Sequence, residues 1–245
     1  MSFYDRISKY YDYIFPVSES QVKFISESAG SAPKRILDVA CGSGGYSIEL
    51  AKEGYSLTGV DLERRMVKMA EEKARIEGVS LDILQCDMLE LEKTLHSKFD
   101  CIFCIGNSIV HLPGTREISG VLKQMHTLLI DNGALVLQTI NYDRIINLRL
   151  SGLPTIKNDE IGLEFIRRYE YLEEKGVINF VTTLVTHENG KREEVKGSVE
   201  LFPMLMEDMK KMLVDAGFSR IQFYGDFGYS PFDENSYMLV VKATK

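Results

Sequence analysis

The chain has 245 residues, 44% of them hydrophobic, and a formal net charge of −7. This length suits one large α/β core with a small appended element and argues against two independent domains. An acidic chain without a basic patch is a poor partner for nucleic acid. Since neither an apolar run of membrane-spanning length nor a secretion signal is present, we expect a cytoplasmic protein that binds no membrane and acts on a small molecule.

The first fifteen residues predict a segment that packs over the rest of the chain, because they are unusually rich in aromatic side chains. These are Phe3, Tyr4, Tyr10, Tyr11, Tyr13 and Phe15. After Pro16, the pattern Ser18-x-x-Gln21 has the form of a capping box and predicts a short helix that ends at Gly30. We therefore interpret residues 1–30 as an N-terminal lid.

From residue 34, short apolar runs alternate with helical periodicity, which is typical of a parallel sheet built from strand-helix-strand units. The predicted strands are 35–39, 56–61, 81–86, 99–105 and 134–140, and the predicted helices lie near 45–53, 63–77 and 115–130. Asp131-Asn132-Gly133 predicts a turn into the last of these strands. Residues 31–145 are therefore predicted to form a Rossmann-like core.

After residue 141 the pattern changes to three β-rich segments with glycine-containing turns at 173–176 and 188–191, which predicts an antiparallel insertion. The segments are 163–172, 177–187 and 192–202. A helix near 204–215 and strands near 219–225 and 236–243 follow. The prediction is an α/β fold with a doubly wound sheet, a substrate cap at 146–203, and residues 204–245 completing the core.

The first core strand runs into D-V-A-C-G-S-G at residues 38–44 and then directly into a helix. Glycines at such a turn let the backbone approach a ligand closely, although a structural turn or a nicotinamide dinucleotide site would also use them. Ser47 replaces the third glycine of the dinucleotide fingerprint, and Asp38 would repel a pyrophosphate but attract a sulfonium or an amino group. We predict a cationic ligand, with contacts at Asp38, Ala40, Gly42 and Gly44.

Acidic residues also end the next two strands. Asp61, followed by Leu62, is placed to bind ribose hydroxyls, although it would equally cap the helix that begins near residue 63. Asp87, followed by Met88, would reach an adenine amino group or serve as an ordinary loop aspartate. Because the carboxyl ends of parallel strands meet at one edge of the sheet, these carboxylates indicate a shared crevice.

The fourth strand opens at Ile105 and Gly106 into a turn that would lie over the reactive group. There, Asn107 can donate and accept hydrogen bonds without carrying charge. His111 is either a proton acceptor or a structural hydrogen-bonding group. We take Asn107, His111 and Tyr13 of the lid as the candidate catalytic residues.

The four cysteines all fall in apolar segments. Cys101-x-x-Cys104 resembles a metal or redox motif in spelling only, since residues three apart on a strand face opposite sides and no second pair exists. Secreted disulfide scaffolds are short and rich in cysteine. We therefore expect neither a bound metal nor disulfides.

Together these motifs resemble the class I S-adenosylmethionine-dependent methyltransferases, and more narrowly the glycine/sarcosine N-methyltransferases. The resemblance is carried by residues 36–44, 106–108, 111–113, 141–143 and 225–227. It implies a seven-stranded sheet whose last strand is inserted antiparallel between the fifth and sixth. It also implies a donor site lined by Asp61, Asp87, Met88 and 105–108, with S-adenosylhomocysteine as the product. Tyr4, Tyr10 and Tyr13 best match the segment that closes over donor and acceptor.

One position departs from the resembled family. In glycine N-methyltransferases an arginine directly before Asn-Tyr-Asp clamps the substrate carboxylate, and here that residue is Ile140. An isoleucine cannot replace a guanidinium. The acceptor is therefore not predicted to be glycine held in that manner, unless Arg144, Arg167 or Arg168 reaches the site from elsewhere.

The expected reaction is an in-line methyl transfer, in which the protein orients the nucleophile and excludes water. We expect the acceptor to be a small amine, and a small hydroxyl or carboxylate is the alternative. A nicotinamide-dependent reductase and a non-catalytic donor-binding protein are the alternatives of other classes. The sequence leaves a homo-oligomer open.

Overall fold

The computed structural model describes residues 7–188 and 191–245, which form two sheets. The larger sheet contains β1 (Arg35–Val39), β2 (Ser56–Asp61), β3 (Asp82–Gln85), β4 (Phe99–Cys104) and β5 (Leu129–Ile140). The smaller contains β6 (Gly152–Asn158), β7 (Leu163–Leu172), β8 (Val177–Glu188) and β9 (Lys191–Leu201). The chain then returns to the larger sheet with β10 (Ser219–Tyr224) and β11 (Met238–Thr244).

The larger sheet has the order β10-β11-β5-β4-β1-β2-β3. Strand β11 lies between β5 and β10 and is antiparallel to both, whereas β1 to β5 pair in parallel. The predicted Rossmann-like sheet and the place of its last strand are therefore confirmed. The carboxyl ends of β1, β2 and β4 lie at one edge, where such sheets bind ligands.

The helices within the described residues include five that lie close to those predicted and three short ones, the first, fifth and seventh, that were not predicted. They are α1 (Tyr11–Ile14), α2 (Glu19–Ala29), α3 (Gly45–Lys52), α4 (Arg64–Glu77), α5 (Leu91–Thr94), α6 (Thr115–Leu128), α7 (Tyr142–Asn147) and α8 (Met206–Asp215). Short 3₁₀ turns occur at Ser8–Tyr10, Met88–Glu90 and Ile109–His111. No helix within the described ranges is long and apolar enough to cross a membrane.

The predicted capping box at α2 is wrong, although the helix begins where expected. Ser18 stands at the N-cap, but its hydroxyl forms no bond to the helix backbone and pairs with the hydroxyl of Ser20 at 2.9 Å. The amide oxygen of Gln21 accepts a hydrogen bond from the Tyr46 hydroxyl. Because Gln21 is held by α3, it cannot return to its own helix terminus.

The predicted turn at 131–133 is a bulge inside β5. Phe99 of β4 is opposite Leu129 and Cys101 is opposite Ala134, so a single residue of β4 faces four residues of β5. Asn132 has a left-handed φ of 62°, which asparagine tolerates. The turn residues were recognised correctly, but they bend a strand and do not precede one.

The smaller sheet is antiparallel, in the order β6-β7-β8-β9, and confirms the predicted insertion. Asn189 and Gly190 of the predicted turn at 188–191 lie outside the described residues. Strand β6 was not predicted, because it contains Pro154 and shows no alternating pattern. It lies at the edge of the sheet, where a proline does not interrupt the ladder.

The two faces of the larger sheet carry separate apolar clusters. Cys101 and Phe103 pack with α2, whereas Ile102 and Cys104 pack with α6. The two cysteines therefore face opposite sides of β4, as the strand geometry requires. Cys41, Cys86, Cys101 and Cys104 are all buried and free.

Candidate active site

The turn after β1 depends on left-handed backbone conformations. Gly42 and Gly44 have φ values of 55° and 77°, and Ala40, which is not glycine, has 63°. A Cβ atom on Gly44 would lie 2.8 Å from the Cβ of Ala70 in α4, so this glycine lets the two helices approach. Helix α3 begins directly afterwards, and its first N–H groups lack partners within the helix. The turn therefore offers backbone donors at the carboxyl edge of the sheet.

Asp38 lies beneath this turn and is 3% exposed. Its Oδ2 accepts a hydrogen bond of 2.7 Å from Ser47 Oγ. Burial raises the pKa of Asp38 from 3.8 to about 7, the Ser47 hydrogen bond opposes this, and the charge of Asp61 adds to it. A cationic group placed nearby would favour the ionised form.

Asp61 connects the end of β2 to the glycine turn. Its Oδ2 accepts from the Gly42 N–H at 2.8 Å, and its Oδ1 accepts from the Glu63 N–H at 2.9 Å. Burial raises the pKa of Asp61, and the two backbone hydrogen bonds lower it. Each carboxylate oxygen keeps a second lone pair. The structure thus shows Asp61 capping the helix that follows β2. Its carboxylate oxygens can still accept hydrogen bonds from hydroxyl groups.

The residues after β3 are more exposed to solvent than Asp38 and Asp61. Asp87 Oδ1 accepts from the Leu89 N–H at 2.9 Å and begins a 3₁₀ turn, as a loop aspartate would. Met88 is half-buried against the core, and Leu62 is 59% exposed. Gln85, which the sequence did not single out, donates to the Leu62 carbonyl at 3.0 Å. The segments after β2 and β3 are therefore linked at this edge.

The turn after β4 is fixed to β5 and α7. The Gly106 N–H donates to Gln138 Oε1 at 2.8 Å. Asn107 Oδ1 accepts from the Ile140 N–H at 3.0 Å, and its Nδ2 donates to the Tyr142 hydroxyl at 2.8 Å. Both polar ends of Asn107 are therefore engaged within the protein. The sequence did not single out Gln138, whose only signal was a glutamine within an apolar strand, and it gave Tyr142 only as part of the Asn-Tyr-Asp motif.

His111 ends the 3₁₀ turn that follows. Burial lowers the pKa of His111, so its imidazole is neutral at pH 7 and can accept a proton. The neighbouring Val110 carbonyl accepts from the Phe202 N–H at 2.8 Å, just beyond β9. This turn therefore joins the core to the smaller sheet. Ile105 before it is buried in the core.

The N-terminal segment contacts the glycine turn through residues other than those predicted. A Cβ atom on Gly42 would lie 2.8 Å from the Tyr11 hydroxyl, so the Tyr11 ring rests on the turn. Tyr13 is 52% exposed, and Tyr10 packs with the apolar cluster on the smaller sheet. Tyr4 lies outside the described residues. Nothing in the sequence distinguishes Tyr11 from its neighbours, because a four-residue helix leaves the facing of its side chains open.

Asp12 adds a polar contact at the same place. Its carboxylate accepts from the Ser43 hydroxyl and from Lys73 Nζ, the latter at 3.0 Å. Lys73 also donates to Ser43 Oγ at 3.3 Å. Three elements, α1, the glycine turn and α4, are thus joined by one network.

Around Ile140, polar residues of the Asn-Tyr-Asp segment have structural partners. Asn141 Oδ1 accepts from the Arg144 N–H at 3.1 Å and caps α7, while its own N–H donates to the Tyr237 carbonyl at 3.3 Å. The Arg144 guanidinium lies 5.7 Å from the centroid of the Tyr237 ring. Asp143 Oδ2 accepts from the Met206 N–H at 2.9 Å and joins α7 to α8.

The two arginines of β7 differ. Arg167 Nη2 donates to the Pro154 carbonyl at 2.6 Å. Arg168, the next residue on the strand, is exposed. Of the three arginines considered from the sequence, Arg144 and Arg167 pack against the protein, and Arg168 does not.

Comparison with known proteins gives a consistent picture. Residues 36–133 match the family model described as a methyltransferase domain. The glycine/sarcosine N-methyltransferase of Halorhodospira halochloris is 28% identical over 207 residues, covering 83% of this chain and 72% of that protein. A structure of an S-adenosylmethionine-dependent methyltransferase from Clostridium acetobutylicum matches with a TM-score of 0.84 at 17% identity, covering 98% of both chains.

An amino pentose methyltransferase from Micromonospora echinaspora, solved with its methyl donor bound, has a TM-score of 0.72 at 18% identity. The match covers 100% of this chain and 98% of that one. At these identities the structural matches establish the fold, which includes the smaller sheet as well as the larger.

Proposed function

Because the chain belongs to the class I S-adenosylmethionine-dependent methyltransferases, we propose that it methylates an amine nitrogen of a small molecule. The observation that carries this proposal is the bond from Asp61 to the Gly42 N–H, which brings the strand-end carboxylate to the glycine turn. The nitrogen acceptor is supported by the similarity to a glycine/sarcosine N-methyltransferase. A hydroxyl or carboxylate acceptor is the alternative outcome of the test below.

The residues at the carboxyl edge fit this donor. Gly42 and Gly44 adopt left-handed conformations in the turn after β1, and Asp61 retains lone pairs for ribose hydroxyls. In this proposal Asp38 lies on the cationic side of the donor, and Asp87 lies near its adenine. The remaining proposed contacts are Tyr10, Ala40, Leu62, Met88, Ile105 and Gly106, with Tyr4 among the residues not described. When bound, the donor supplies an electrophilic methyl group on a sulfonium.

The chain's own residues then have three tasks. Asn107, held by Ile140 and Tyr142, fixes the turn that would face the acceptor, so we assign it a positioning role. His111 is neutral and can take the proton that the nitrogen loses. Tyr11 covers the glycine turn and excludes water from it, whereas Tyr13, the tyrosine predicted to be catalytic, is 52% exposed.

The division into an N-terminal lid, a donor-binding core and a substrate cap is part of this proposal. The lid and the cap share an apolar cluster in which Ile7 and Ile14 pack with Phe165 and Leu184. Acceptor binding would therefore be assembled between these segments. The cytoplasmic location and a homo-oligomer stay predictions.

The test has two stages. A thermal shift with S-adenosylhomocysteine, compared with NAD and NADP, checks the donor site, since only a true ligand stabilises by mass action. Methyl transfer to a panel of small amines, phenols and carboxylates is then followed by mass spectrometry. Transfer to amines alone supports the proposal, transfer to oxygen replaces it with an O-methyltransferase, and donor binding without any transfer would indicate a binding protein.

A further inference from the structure

The described part of the N-terminal lid consists of two pieces that pack against different parts of the protein. Phe24 of helix α2 is buried in the apolar cluster on one face of the larger sheet, so α2 belongs to the core. Residues 7–15, which we call the α1 segment, pack instead on the smaller sheet. The two pieces are joined by residues 16–18, which form neither helix nor strand. Within this connection Val17 rests on α3, because a Cβ atom on Gly45 would lie 2.6 Å from its Cγ2. The piece that can move therefore ends before Val17.

The contact between the α1 segment and the smaller sheet is apolar. Ile7 and Ile14 are at most 2% exposed and pack with Phe165 and Leu184, which are equally buried. Among the described residues, this cluster includes none from the larger sheet. Tyr169, four residues further along β7, belongs to the main core cluster. The α1 segment is thus attached about 13 Å along the strand from the part of the smaller sheet that is fixed to the core.

The contact between the α1 segment and the glycine turn is polar. Asp12 Oδ2 accepts from Lys73 Nζ of α4 at 3.0 Å, and Asp12 Oδ1 accepts from the Ser43 hydroxyl of the turn. Lys73 Nζ also donates to Ser43 Oγ at 3.3 Å. Ser43 is buried, whereas the side chains of Asp12 and Lys73 are 47% and 32% exposed. Water and salt therefore compete for the ion pair.

The apolar contact is the stronger of the two. Burial of several large apolar side chains stabilises a contact more than one partly exposed ion pair with its hydrogen bonds does. When thermal motion separates the α1 segment from a neighbour, the polar contact consequently breaks first. The segment then leaves the glycine turn and stays on the smaller sheet.

The glycine turn is covered as long as the polar contact is closed. Tyr11, the neighbour of Asp12, rests on Gly42, and the donor is proposed to bind at this turn. A bound donor cannot leave, and a free donor cannot enter, without displacement of the Tyr11 ring. Exchange of the donor therefore requires the α1 segment to lift.

We infer that Asp12, Ser43 and Lys73 form a latch, which holds the α1 segment over the glycine turn and sets how fast the donor and its product exchange. The inference rests on the proposed donor site at this turn. Asp12 and Lys73 are positioning residues, since they act through Tyr11 and touch neither donor nor acceptor. The latch closes in the empty and in the occupied protein alike. It therefore changes the association and dissociation rate constants by the same factor and leaves the Kd unchanged.

Surface plasmon resonance with S-adenosylhomocysteine tests the inference, because it yields both rate constants. This ligand is a zwitterion without net charge, so salt has little effect on its diffusion to the site. Asp12→Asn and Lys73→Met should each raise both rate constants about two- to fivefold, as expected for a partly exposed ion pair, at an unchanged Kd. The double variant should be no faster than the faster single variant, since both substitutions break the same pair.

Two matched variants serve as controls. Lys73→Arg keeps a cation opposite Asp12 and should retain the wild-type rate constants. Lys68→Met removes an exposed lysine of the same helix that has no ion-pair partner in the described part of the chain, and it should also exchange the ligand as the wild type does.

Ionic strength provides a test that needs no substitution. Raising the salt concentration from about 20 to about 500 mM should increase both rate constants of the wild type, because the ion pair is screened. In Asp12→Asn the same change should have little effect.

Three results would contradict the latch. Asp12→Asn and Lys73→Met could exchange the ligand at wild-type rates, or their dissociation rate constant could rise alone, which would make these residues part of the binding site. Wild-type rate constants that do not respond to salt would also overturn the inference. A wild-type protein that binds no S-adenosylhomocysteine would instead refute the proposed donor site, and the latch with it.

Discussion

Ser47 Oγ donates a hydrogen bond of 2.7 Å to Asp38 Oδ2, and both side chains are buried. The bond joins β1 to α3 across the glycine turn. It also explains why a serine stands where a dinucleotide-binding turn would have glycine. The carboxylate beneath the turn requires a donor, and the serine hydroxyl supplies it. Helix α3 and the carboxylate are thereby set in place before any ligand binds.

Replacement of Ser47 by alanine should therefore destabilise the protein. Asp38 would be left buried without its partner, at a cost of about 1–3 kcal/mol in the free energy of unfolding. Urea denaturation measures this change. Ser28→Ala is the matched control, because the buried Ser28 hydroxyl has no hydrogen-bond partner and its removal should be neutral or stabilising. A Ser47→Ala variant as stable as Ser28→Ala would contradict the prediction.

Donor affinity should depend on pH through Asp38. Its pKa is about 7 in the folded protein and 3.8 ordinarily, so the stability that protonated Asp38 contributes without ligand is full below pH 4 and is lost as the pH rises through 7. A cationic donor prefers the ionised carboxylate. The association constant for S-adenosylmethionine is therefore expected to increase between pH 6 and pH 8, and calorimetry would measure it. In Asp38→Asn the pH profile should be flat, and an unchanged slope there would assign the titration to another group.

Asp61 is expected to contribute strongly to the affinity for the donor. Asp61→Asn leaves one acceptor oxygen for the N–H groups of Gly42 and Glu63, and it loses the charge offered to ribose hydroxyls. Donor affinity should fall about 10- to 100-fold by equilibrium binding. Asp82→Asn changes an exposed carboxylate at the start of β3 and serves as the control, with affinity expected to remain at the wild-type level. If Asp61→Asn binds the donor with wild-type affinity, Asp61 caps the helix and does not contribute to donor binding.

The first four strands of the core could be predicted to within one residue at each end, for physical reasons. β1 and β2 are apolar runs that end at an aspartate or a glycine turn, and burial on both faces of a parallel sheet demands such runs. Neither β6 nor α7 has this signature. β6 is an edge strand with a proline, and the six residues of α7 are too few for a periodic pattern.

The sequence predicted which residues form the site better than it predicted their contacts with one another. Asp38, Asp61 and the glycines could be recognised because strand ends converge at one edge of the sheet. The contacts of Tyr11 with Gly42 and of Gln138 with Gly106 could not, since each joins residues distant in the chain. Such pairings depend on how the lid and the cap pack, which local periodicity does not encode.

Asn107 provides the last prediction, because the structure gives it a positioning role that can be separated from direct catalysis. Its amide holds the Ile140 N–H and the Tyr142 hydroxyl, so Asn107→Ala should release the turn after β4 and lower stability by about 1–2 kcal/mol. kcat should fall together with stability. Tyr142→Phe removes only one of these bonds and keeps the Asn107 side chain.

The two variants distinguish the roles of Asn107. If Asn107 positions the turn, Tyr142→Phe should lower both kcat and stability, but by less than Asn107→Ala does. Some loss of stability is expected because the Tyr142 side chain is fully buried. If Asn107 itself touches the acceptor, Asn107→Ala should lose activity with little change in stability, and Tyr142→Phe should retain its kcat. Urea denaturation and steady-state kinetics on the same preparations decide between these outcomes, and the hydrogen bonds on both ends of the Asn107 amide favour the first.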